Sequence, residues 1–371
     1  MLGPSRMLAY LSYMAQRLAE TRRLLNSTGS IYLHCDPTAS HYLKILMDDI
    51  FGENNFQNEF IWYYSGGGAS TRRWARKHDV ILFYTKTNRW SFNADEVRVP
   101  YRWTDGQRRA DGSERDYDRG KLPDDVFEQN SLMPWSSERL GYPTQKPLAL
   151  LERIVKASSN DNDVVLDPFC GCGTAIVAAA NLNRRWIGID ISPIAIDVIR
   201  SRRLEPMDIP VEVRGIPTDI DGARRMARAR PFDFEKWAIT RIPGMVPNDT
   251  QVADRGIDGR GKLFVSLEGS SSMVLAQVKG GRFQASALRD FLGTIERENA
   301  PMGIFITLDR VSSPRARADA ASKGVLQIGA QEYPVVQLWS IKDYFDDRLP
   351  ILPTMADPFT GREIGIQQGL I

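Results

Sequence analysis

The stretch from Val164 to Thr174, with the sequence VVLDPFCGCGT, constrains the fold of this 371-residue chain more than any other. Its leading apolar residues predict a buried parallel strand, and an Asp-Pro pair ends that strand before two glycines spaced by one residue. A helix is predicted from Ala175 to Leu182, with Thr174 as its cap, and a second strand from Trp186 to Ile189. This order of strand, glycine turn, helix and strand predicts half of a nucleotide-binding sheet.

Residues at the ends of these two strands indicate which ligand the turn would hold. Gly171 and Gly173 let the backbone approach a ligand where a Cβ would clash, and Asp190 can accept hydrogen bonds from two ribose hydroxyls. A dinucleotide fingerprint needs a third glycine where Ile176 stands. A P-loop needs Gly-Lys-Ser/Thr, whereas this turn continues as Gly-Thr-Ala. Both phosphate-binding interpretations are therefore weak.

The string Asp-Pro-Phe-x-Gly-x-Gly-Thr, closed by Gly-Ile-Asp at the next strand, resembles motif I and its acidic partner in amino-methylating DNA methyltransferases. The resemblance implies S-adenosylmethionine as the cofactor. A second string, Thr-Gln-Lys-Pro, resembles the family's motif X, a loop that closes over the methionine end of the cofactor. The start of a helix suits the carboxylate of a ligand, because its backbone N–H groups point outward. The cofactor-binding residues that the resemblance implies are Asp167, Phe169, Gly171, Gly173, Thr174, Asp190, Thr144, Gln145, Lys146 and Pro147.

Length and composition bound the class of protein. A chain of 371 residues predicts two domains or more, and a net charge of +2 does not by itself indicate a nucleic-acid partner. Three cysteines cannot form a disulfide framework, which fits a reducing cytoplasm. No apolar run approaches the ~20 residues of a membrane span. We expect a cytoplasmic protein without a membrane partner, and a second copy of the chain is retained as a candidate partner.

The first 85 residues predict a set of elements that also resembles the methyltransferase family. A helix is predicted over residues 5–26, a strand over 30–34 and a helix ending at Phe51. Strands are predicted over 56–64 and 80–85 and are expected to pair as a hairpin. This run resembles the half of the sheet that follows the catalytic motif in the β-type arrangement, which places the catalytic half before the cofactor half.

Residues 66–136 have weak periodicity and many Arg, Trp, Tyr, Asp and Gly residues. In the family this position holds the target-recognition region, which implies double-stranded DNA as a partner. Residues that could contact phosphates or base edges, with one tryptophan to stack, are Arg72, Arg73, Trp74, Arg76 and Lys77. The alternative is a long solvated insertion.

One motif of the family does not occur in the sequence. Methylation of an exocyclic amino group in this family uses Asp/Asn/Ser-Pro-Pro-Tyr/Phe, and the chain contains no Pro-Pro pair. In the β-type order that motif would precede residue 1, on a central strand of the sheet. We therefore expect an N-terminally truncated form of a longer protein that does not transfer a methyl group by itself.

The C-terminal part predicts a second α/β domain. Gly-Ile-Asp-Gly ending at residue 259 and Gln-Val-Lys ending at Lys279 resemble the Mrr-type branch of the PD-(D/E)xK nucleases. The resemblance implies that Asp258 and Gln277 bind Mg²⁺, that Lys279 orients the attacking water, and that Glu235 supplements the site. Nineteen positions separate Asp258 from Gln277, which suits adjacent strands of a hairpin. The alternative is a turn aspartate and a surface lysine without a catalytic role.

The predicted fold class is α/β: a permuted, N-terminally truncated Rossmann-like methyltransferase sheet followed by an α/β restriction-endonuclease-like domain. The predicted segments are a methyltransferase domain over 1–203, a linker over 204–230, an endonuclease domain over 231–345 and a tail over 346–371. The leading hypothesis is a restriction-modification protein joining an adenine-N6 or cytosine-N4 DNA methyltransferase to a nuclease. The alternatives are a nuclease with a DNA-binding, cofactor-sensing methyltransferase remnant, and a non-catalytic DNA-binding protein.

Overall fold

The computed structural model describes residues 4–66, 69–101, 117–133, 135–142, 144–248, 256–264 and 272–364. The chain divides into two compact units, Met1–Asp190 and Ile191–Ile371. No helix in the described part is long and apolar enough to cross a membrane.

The first unit alternates helices with short strands. Its elements are α1 (Arg6–Leu24), β1 (Ser30–Cys35), α2 (Ser40–Phe51), β2 (Phe56–Tyr63), β3 (His78–Thr85), β4 (Val126–Glu128), α3 (Leu148–Ser158), β5 (Val164–Asp167), α4 (Thr174–Asn181) and β6 (Arg185–Gly188).

Four strands of this unit form a sheet in the order β1-β3-β2-β4. β3 is antiparallel to both β1 and β2, which confirms the predicted pairing of β2 with β3, and β4 runs parallel to β2. Successive side chains of a strand point to opposite faces. Leu82 and Tyr84 accordingly pack in one core with Leu43 and Met47 of α2, whereas Ile81 packs in a second cluster on the α3 side.

β5 and β6 pair in parallel and form a two-stranded sheet in the described residues. Leu150, on α3, is buried against Trp62 and Ile81 of the four-stranded sheet. The same helix also packs against α4, which follows the glycine turn. α3 therefore connects the larger sheet to the strand pair that carries the glycine turn.

The second unit is built around a five-stranded sheet in the order β13-β10-β9-β8-β7. Its elements are α5 (Pro193–Val198), α6 (Ile220–Ala229), α7 (Pro231–Thr240), β7 (Met245–Pro247), β8 (Gly259–Lys262), β9 (Met273–Lys279), α8 (Ala285–Arg297), β10 (Met302–Thr307), α9 (Pro314–Ala321), β11 (Val325–Ile328), β12 (Gln331–Pro334), β13 (Val336–Ser340) and α10 (Ile341–Phe345). After α5, residues Ile199–Leu204 continue as a π-helical turn.

Both faces of this sheet are covered. β9, β10 and β13 are mutually parallel, whereas β7 and β8 extend the sheet with antiparallel pairing. On one face the core includes Phe234 and Trp237 of α7, and on the other it includes Phe291 of α8 with Phe305. The short strands β11 and β12 form a separate antiparallel pair.

Residues 204–230, for which the sequence predicts a connector, contain the ten-residue helix α6. Asp219 caps this helix by accepting a hydrogen bond from the N–H of Gly222 at 2.6 Å. Ala223, Met226 and Ala227 are buried in the same core as Phe234. The expectation of a plain connector is therefore wrong for the residues of α6, since they are part of the packed unit.

Candidate functional site

The glycine turn after β5 has the backbone that its sequence predicts. Gly171 and Gly173 adopt φ angles of +48° and +76°, a region that L side chains rarely enter. The helix α4 begins at Thr174, and Gly173 occupies the cap position without a side-chain cap. The prediction that Thr174 caps this helix is wrong, because Thr174 is already the first helical residue.

Asp190 is hydrogen-bonded to this turn. Its Oδ2 accepts a hydrogen bond from the backbone N–H of Gly171 at 2.8 Å. Backbone bonds from Cys170 N to Ile189 O (3.0 Å) and from Ile189 N to the carbonyl of Asp167 (2.9 Å) hold the ends of the two strands side by side. The predicted carboxylate and the two predicted glycines therefore meet at the carboxyl ends of parallel strands.

Two carboxylates lie close together at this edge. Burial raises the pKa of Asp167, and the nearby charge of Asp190 raises it further, while a hydrogen bond from the N–H of Phe169 (3.1 Å) opposes the shift. A cationic group bound here would offset the repulsion between Asp167 and Asp190. The electrostatics of the site thus favour a positively charged ligand.

Two aromatic side chains flank the turn. Phe169 is 43% exposed. The strand before it, β5, is only partly buried, with Val164 49% exposed, so the prediction of a buried strand is wrong. A Cβ added at Gly171 would lie 3.5 Å from the Tyr142 ring, so this tyrosine covers the turn. Burial, together with the charge of Asp190, raises the pKa of Tyr142 to about 12, so the phenol is neutral. Sequence reasoning missed Tyr142, although it stands two residues before Thr144.

The loop that resembles motif X is held by its own side chains. The Gln145 amide accepts from the N–H of Leu140 and donates to the carbonyl of Glu138, both at 2.8 Å. The Glu138 carboxylate accepts from the N–H of Leu148 at the start of α3. Gln145 therefore shapes the loop. Thr144 has a left-handed backbone with φ +62°, and Pro147 is the residue that precedes α3.

Lys146 lies between the glycine turn and the larger sheet. Its Nζ donates to the carbonyl of Thr144 at 3.0 Å. Burial lowers the pKa of Lys146, while the charges of Asp79 and Cys172 oppose that shift. The electrostatic partners of Lys146 thus include one residue of the turn and one of β3.

A His-Asp pair stands at the end of β1 near Lys146. His34 Nε2 lies 2.9 Å from Asp79 Oδ2, and Tyr64 Oη donates to Asp79 Oδ1 at 3.4 Å. Burial lowers the pKa of His34, Lys146 lowers it further, and Asp79 opposes both effects. Sequence reasoning missed this pair because the pairing of β1 with β3 brings together residues 45 positions apart.

The residues predicted to contact DNA lie between β2 and β3. Trp74 is 97% exposed, and Arg72, Arg73 and Arg76 are exposed beside it. Lys77 donates to the carbonyls of residues 65 and 66, at 3.0 and 3.2 Å. Within the predicted target-recognition region, residues 67–68, 102–116 and 134 lie outside the described residues.

In the second unit the structure brings together three predicted residues. Asp258 precedes β8, and its Oδ2 accepts a hydrogen bond from the N–H of Val278 on β9 at 2.7 Å. Its carboxylate therefore lies beside the strand segment that carries Gln277 and Lys279. Gln277 is 6% exposed, and its Oε1 has no hydrogen-bond partner in the part of the chain that the structure describes.

Glu235 is on α7. A Cβ added at Gly280, just after β9, would lie 3.0 Å from the ring of Phe234, the residue before Glu235. The helix thus approaches the end of β9. Across the described ranges, however, no group of three His, Cys, Asp or Glu side chains is placed to hold a metal ion. A role for Glu235 in the predicted metal site stays a prediction.

The comparison with protein families decides the class of the first unit. Residues 3–201, more than half of the chain, match the DNA methylase model N6_N4_Mtase. The chain belongs to this DNA methylase family. Residues 233–335 match a second model, described as a NACHT-associated inactive restriction endonuclease. These matches confirm the predicted methyltransferase-type fold and the restriction-endonuclease-like second domain.

Curated DNA methylases are similar to about half of the chain. The type II methyltransferase M.HpaI of Haemophilus parainfluenzae is 35% identical over 194 residues, which cover 52% of this chain and 59% of that protein. M1.MboII of Moraxella bovis is 37% identical over 182 residues, covering 45% and 69%. A solved M1.HpyAVI–SAM complex is 24% identical, covering 52% and 82%, with a TM-score of 0.39. The chain thus spans less than two thirds of M.HpaI.

Proposed function

We propose that the first unit binds S-adenosylmethionine as part of a DNA methyltransferase that acts on the exocyclic amino group of adenine (N6) or cytosine (N4). The observation that carries the proposal is the bond between the Gly171 N–H and the Asp190 carboxylate. It places a carboxylate and two left-handed glycines at the carboxyl ends of adjacent parallel strands, where nucleotide-like ligands bind in α/β sheets. Membership of the DNA methylase family supports the same ligand.

Each residue of the turn has a role in this proposal. Asp190 accepts hydrogen bonds from the ribose hydroxyls, and the rings of Phe169 and Tyr142 cover the adenine. Asp167 pairs with the ammonium of the methionine part, and the loop of Lys146 faces its carboxylate. When bound, S-adenosylmethionine supplies an electrophilic methyl group on a positively charged sulfur. The raised pKa of Asp167 fits this cationic ligand, because binding would offset the repulsion from Asp190.

The exposed loop between β2 and β3 supports double-stranded DNA as the partner. Its arginines, with the fully solvated Trp74, offer charge for phosphates and a ring for stacking. The sequence contains no Pro-Pro pair, the motif on which the resemblance places base methylation. Binding of the cofactor, rather than turnover, is therefore the decisive measurement, and the choice between adenine and cytosine stays open.

Calorimetry of the whole 371-residue protein with S-adenosylhomocysteine tests the proposal. We expect saturable binding with one site per chain. Asp190→Asn should weaken it about tenfold or more, since it alters hydrogen bonds to the ligand that are worth about 1 kcal/mol each. Asp49→Asn, an exposed aspartate on α2, is the matched control and should leave affinity unchanged. Absence of heat with the wild-type protein would refute the proposal.

For the second unit we propose a Mg²⁺-dependent DNA endonuclease site as a second candidate. The observation that favours it is the buried Gln277 Oε1 without a hydrogen-bond partner among the described residues, one residue before Val278, whose N–H donates to the Asp258 carboxylate. Two such oxygens fit Mg²⁺, which keeps several waters and takes few protein ligands. Mg²⁺ would stabilise charge on the phosphodiester, and Lys279 would orient the attacking water.

The competing interpretation is a DNA-binding domain that does not cleave, which the word "inactive" in the matched family's description favours. Nicking of supercoiled plasmid with Mg²⁺ separates the two. A nuclease predicts nicking that is lost in Lys279→Ala and kept in Lys262→Ala, a control at an exposed lysine on the neighbouring strand β8. Plasmid binding without nicking by the wild-type protein supports the non-cleaving domain.

A further inference from the structure

A cavity of about 280 Å³ lies in the first unit, apart from the cofactor turn. Its floor is the sheet face that carries Tyr32 and Phe83, and its wall is the second half of α3 from Arg153 to Ala157. None of the predicted cofactor-binding residues lines it. The motif X loop precedes the first residue of α3, so the cavity and that loop flank different parts of the helix.

Aromatic rings with nearly parallel faces form much of this cavity. The Tyr32 and Phe83 rings are stacked, with centroids 4.4 Å apart and planes 7° apart. Phe92 continues the series at 6.1 Å from Phe83 with an interplanar angle of 25°. Trp90 and Phe92 are 39% and 44% exposed, so apolar ring surface remains in contact with solvent at the cavity. This arrangement suits a flat aromatic ligand.

Polar groups of opposite charge also line the cavity. The Arg153 guanidinium lies 4.7 Å from the ring centroid of Phe127 and makes no hydrogen bond or ion pair within the described ranges. Burial lowers the pKa of Arg153, and the charge of Asp124 opposes the shift. Asp124 and Asp125 line the same cavity, and Lys121 donates to the Asp124 carboxylate. A ligand that matches these groups presents acceptors to an arginine and N–H donors to a carboxylate.

We propose that this cavity binds a guanine base. Guanine presents two acceptors, O6 and N7, which are the usual partners of an arginine, and N–H donors at N1 and N2 that a carboxylate can accept. Adenine has an amino group where guanine has O6, and thymine lacks an exocyclic amino group. The volume of about 280 Å³ lies just below the range of about 300–1,000 Å³ that is usual for small-molecule sites, and it suits a nucleoside rather than a dinucleotide. The proposal does not depend on methyl transfer.

Calorimetry of the whole protein with 2′-deoxyguanosine tests this inference, with saturating S-adenosylhomocysteine present to occupy the cofactor site. We expect saturable binding that is about tenfold tighter than for thymidine, and about tenfold weaker in Arg153→Met, since an arginine–guanine pair supplies discrimination of this order. Arg22→Met, on the exposed surface of α1, is the matched control and should bind like the wild type.

A second variant keeps the test decisive if Arg153→Met does not fold, as judged by its thermal melting. Phe92→Ala removes a partly exposed ring that stacks against Phe83, and it should also weaken binding. Guanosine monophosphate and a thymine oligonucleotide with one guanine distinguish a free nucleotide from a nucleic-acid strand as the source of the base. No saturable heat with deoxyguanosine, or affinity unchanged in every folded variant, would overturn the proposal.

Discussion

The backbone N–H of Gly171 donates to the carboxylate of Asp190 over 2.8 Å, although the two residues are 19 positions apart. The bond joins the turn after β5 to the end of β6, whose backbones also pair in parallel. The fold therefore positions the acidic group of the proposed ribose site before any ligand binds. Preorganisation of this kind reduces the ordering cost of binding.

Comparing Gly171→Ala with a control variant should distinguish the loss of stability caused by backbone strain from the loss of affinity for the cofactor. Gly171 has φ +48°, where an alanine costs about 1–2 kcal/mol. Gly215→Ala is the matched control, since Gly215 has φ +87° and nothing within 4 Å of an added Cβ. We expect both variants to lose stability of this order in urea unfolding, and only Gly171→Ala to lose affinity for S-adenosylhomocysteine. Equal affinity in the two variants would contradict the assignment of the turn.

Asp167→Asn should raise stability at neutral pH while weakening cofactor binding. Burial and Asp190 raise the pKa of Asp167 above its ordinary value of 3.8, so the folded state favours the protonated carboxyl and the ionised form destabilises it. The gain in melting temperature over the wild type should appear as pH rises from the ordinary pKa through the raised one, and then stay constant. A gain that grows on acidification would contradict this sign. Asp49→Asn serves again as the exposed control.

Local sequence predicted the glycine turn and its flanking elements well. The predicted bounds of α4 and β6 agree with the structure within one residue. These elements are specified by hydrophobic periodicity and by glycines that need positive φ, and both signals can be read within a few residues. The predicted approach of Asp258 to the Gln277 strand is likewise confirmed by the pairing of β8 with β9.

Other features depend on contacts that local sequence does not encode. The sequence of α6, IDGARRMARA, contains several arginines and only a few small or apolar residues, so its apolar face is hard to recognise from the sequence. The helix is stabilised by burial of two alanines and one methionine in the unit's core. β4 and β7 have three residues each, too few to show a period of two. The proximity of Tyr142 to Gly171, and of His34 to Asp79, arises from tertiary packing between distant segments.

The titration of His34 should report the charges on either side of it. Its pKa lies below the ordinary 6.5 because of burial and Lys146, while Asp79 opposes the shift. Lys146→Met should therefore raise the pKa and Asp79→Asn should lower it, as measured by NMR of the imidazole carbons. The chain has three histidines, and His41, which adjoins neither substituted residue in the sequence, provides an internal control.

The same shift fixes the sign of the effect on stability. A depressed histidine pKa stabilises the fold fully above about pH 6.5, and this contribution is lost as pH falls through the folded value. His34→Gln should therefore flatten the loss of melting temperature over that range. A His34 pKa that rises in Asp79→Asn would contradict the proposed pairing.

Asp258 should contribute to the stability of the second unit whether or not the site cleaves DNA. Its carboxylate accepts the N–H of Val278, a fully buried residue of β9. Asp258→Ala leaves that donor without its partner and should cost about 1–3 kcal/mol in urea unfolding. Asp258→Asn keeps an acceptor oxygen and should cost less, and Asp290→Ala, at an exposed position of α8, should cost little.

The same pair of variants separates this structural role from metal binding. If Asp258 also binds Mg²⁺, added Mg²⁺ should raise the melting temperature of the wild type and not that of Asp258→Asn, because a ligand that binds only the folded state stabilises it. The alternative outcome is that the wild type shows no change in melting temperature with Mg²⁺, while Asp258→Ala is less stable than Asp258→Asn. In that case the function of this carboxylate is the hydrogen bond to Val278. Equal destabilisation by Ala and Asn would contradict the hydrogen-bond role, since the amide oxygen of asparagine can accept the same N–H.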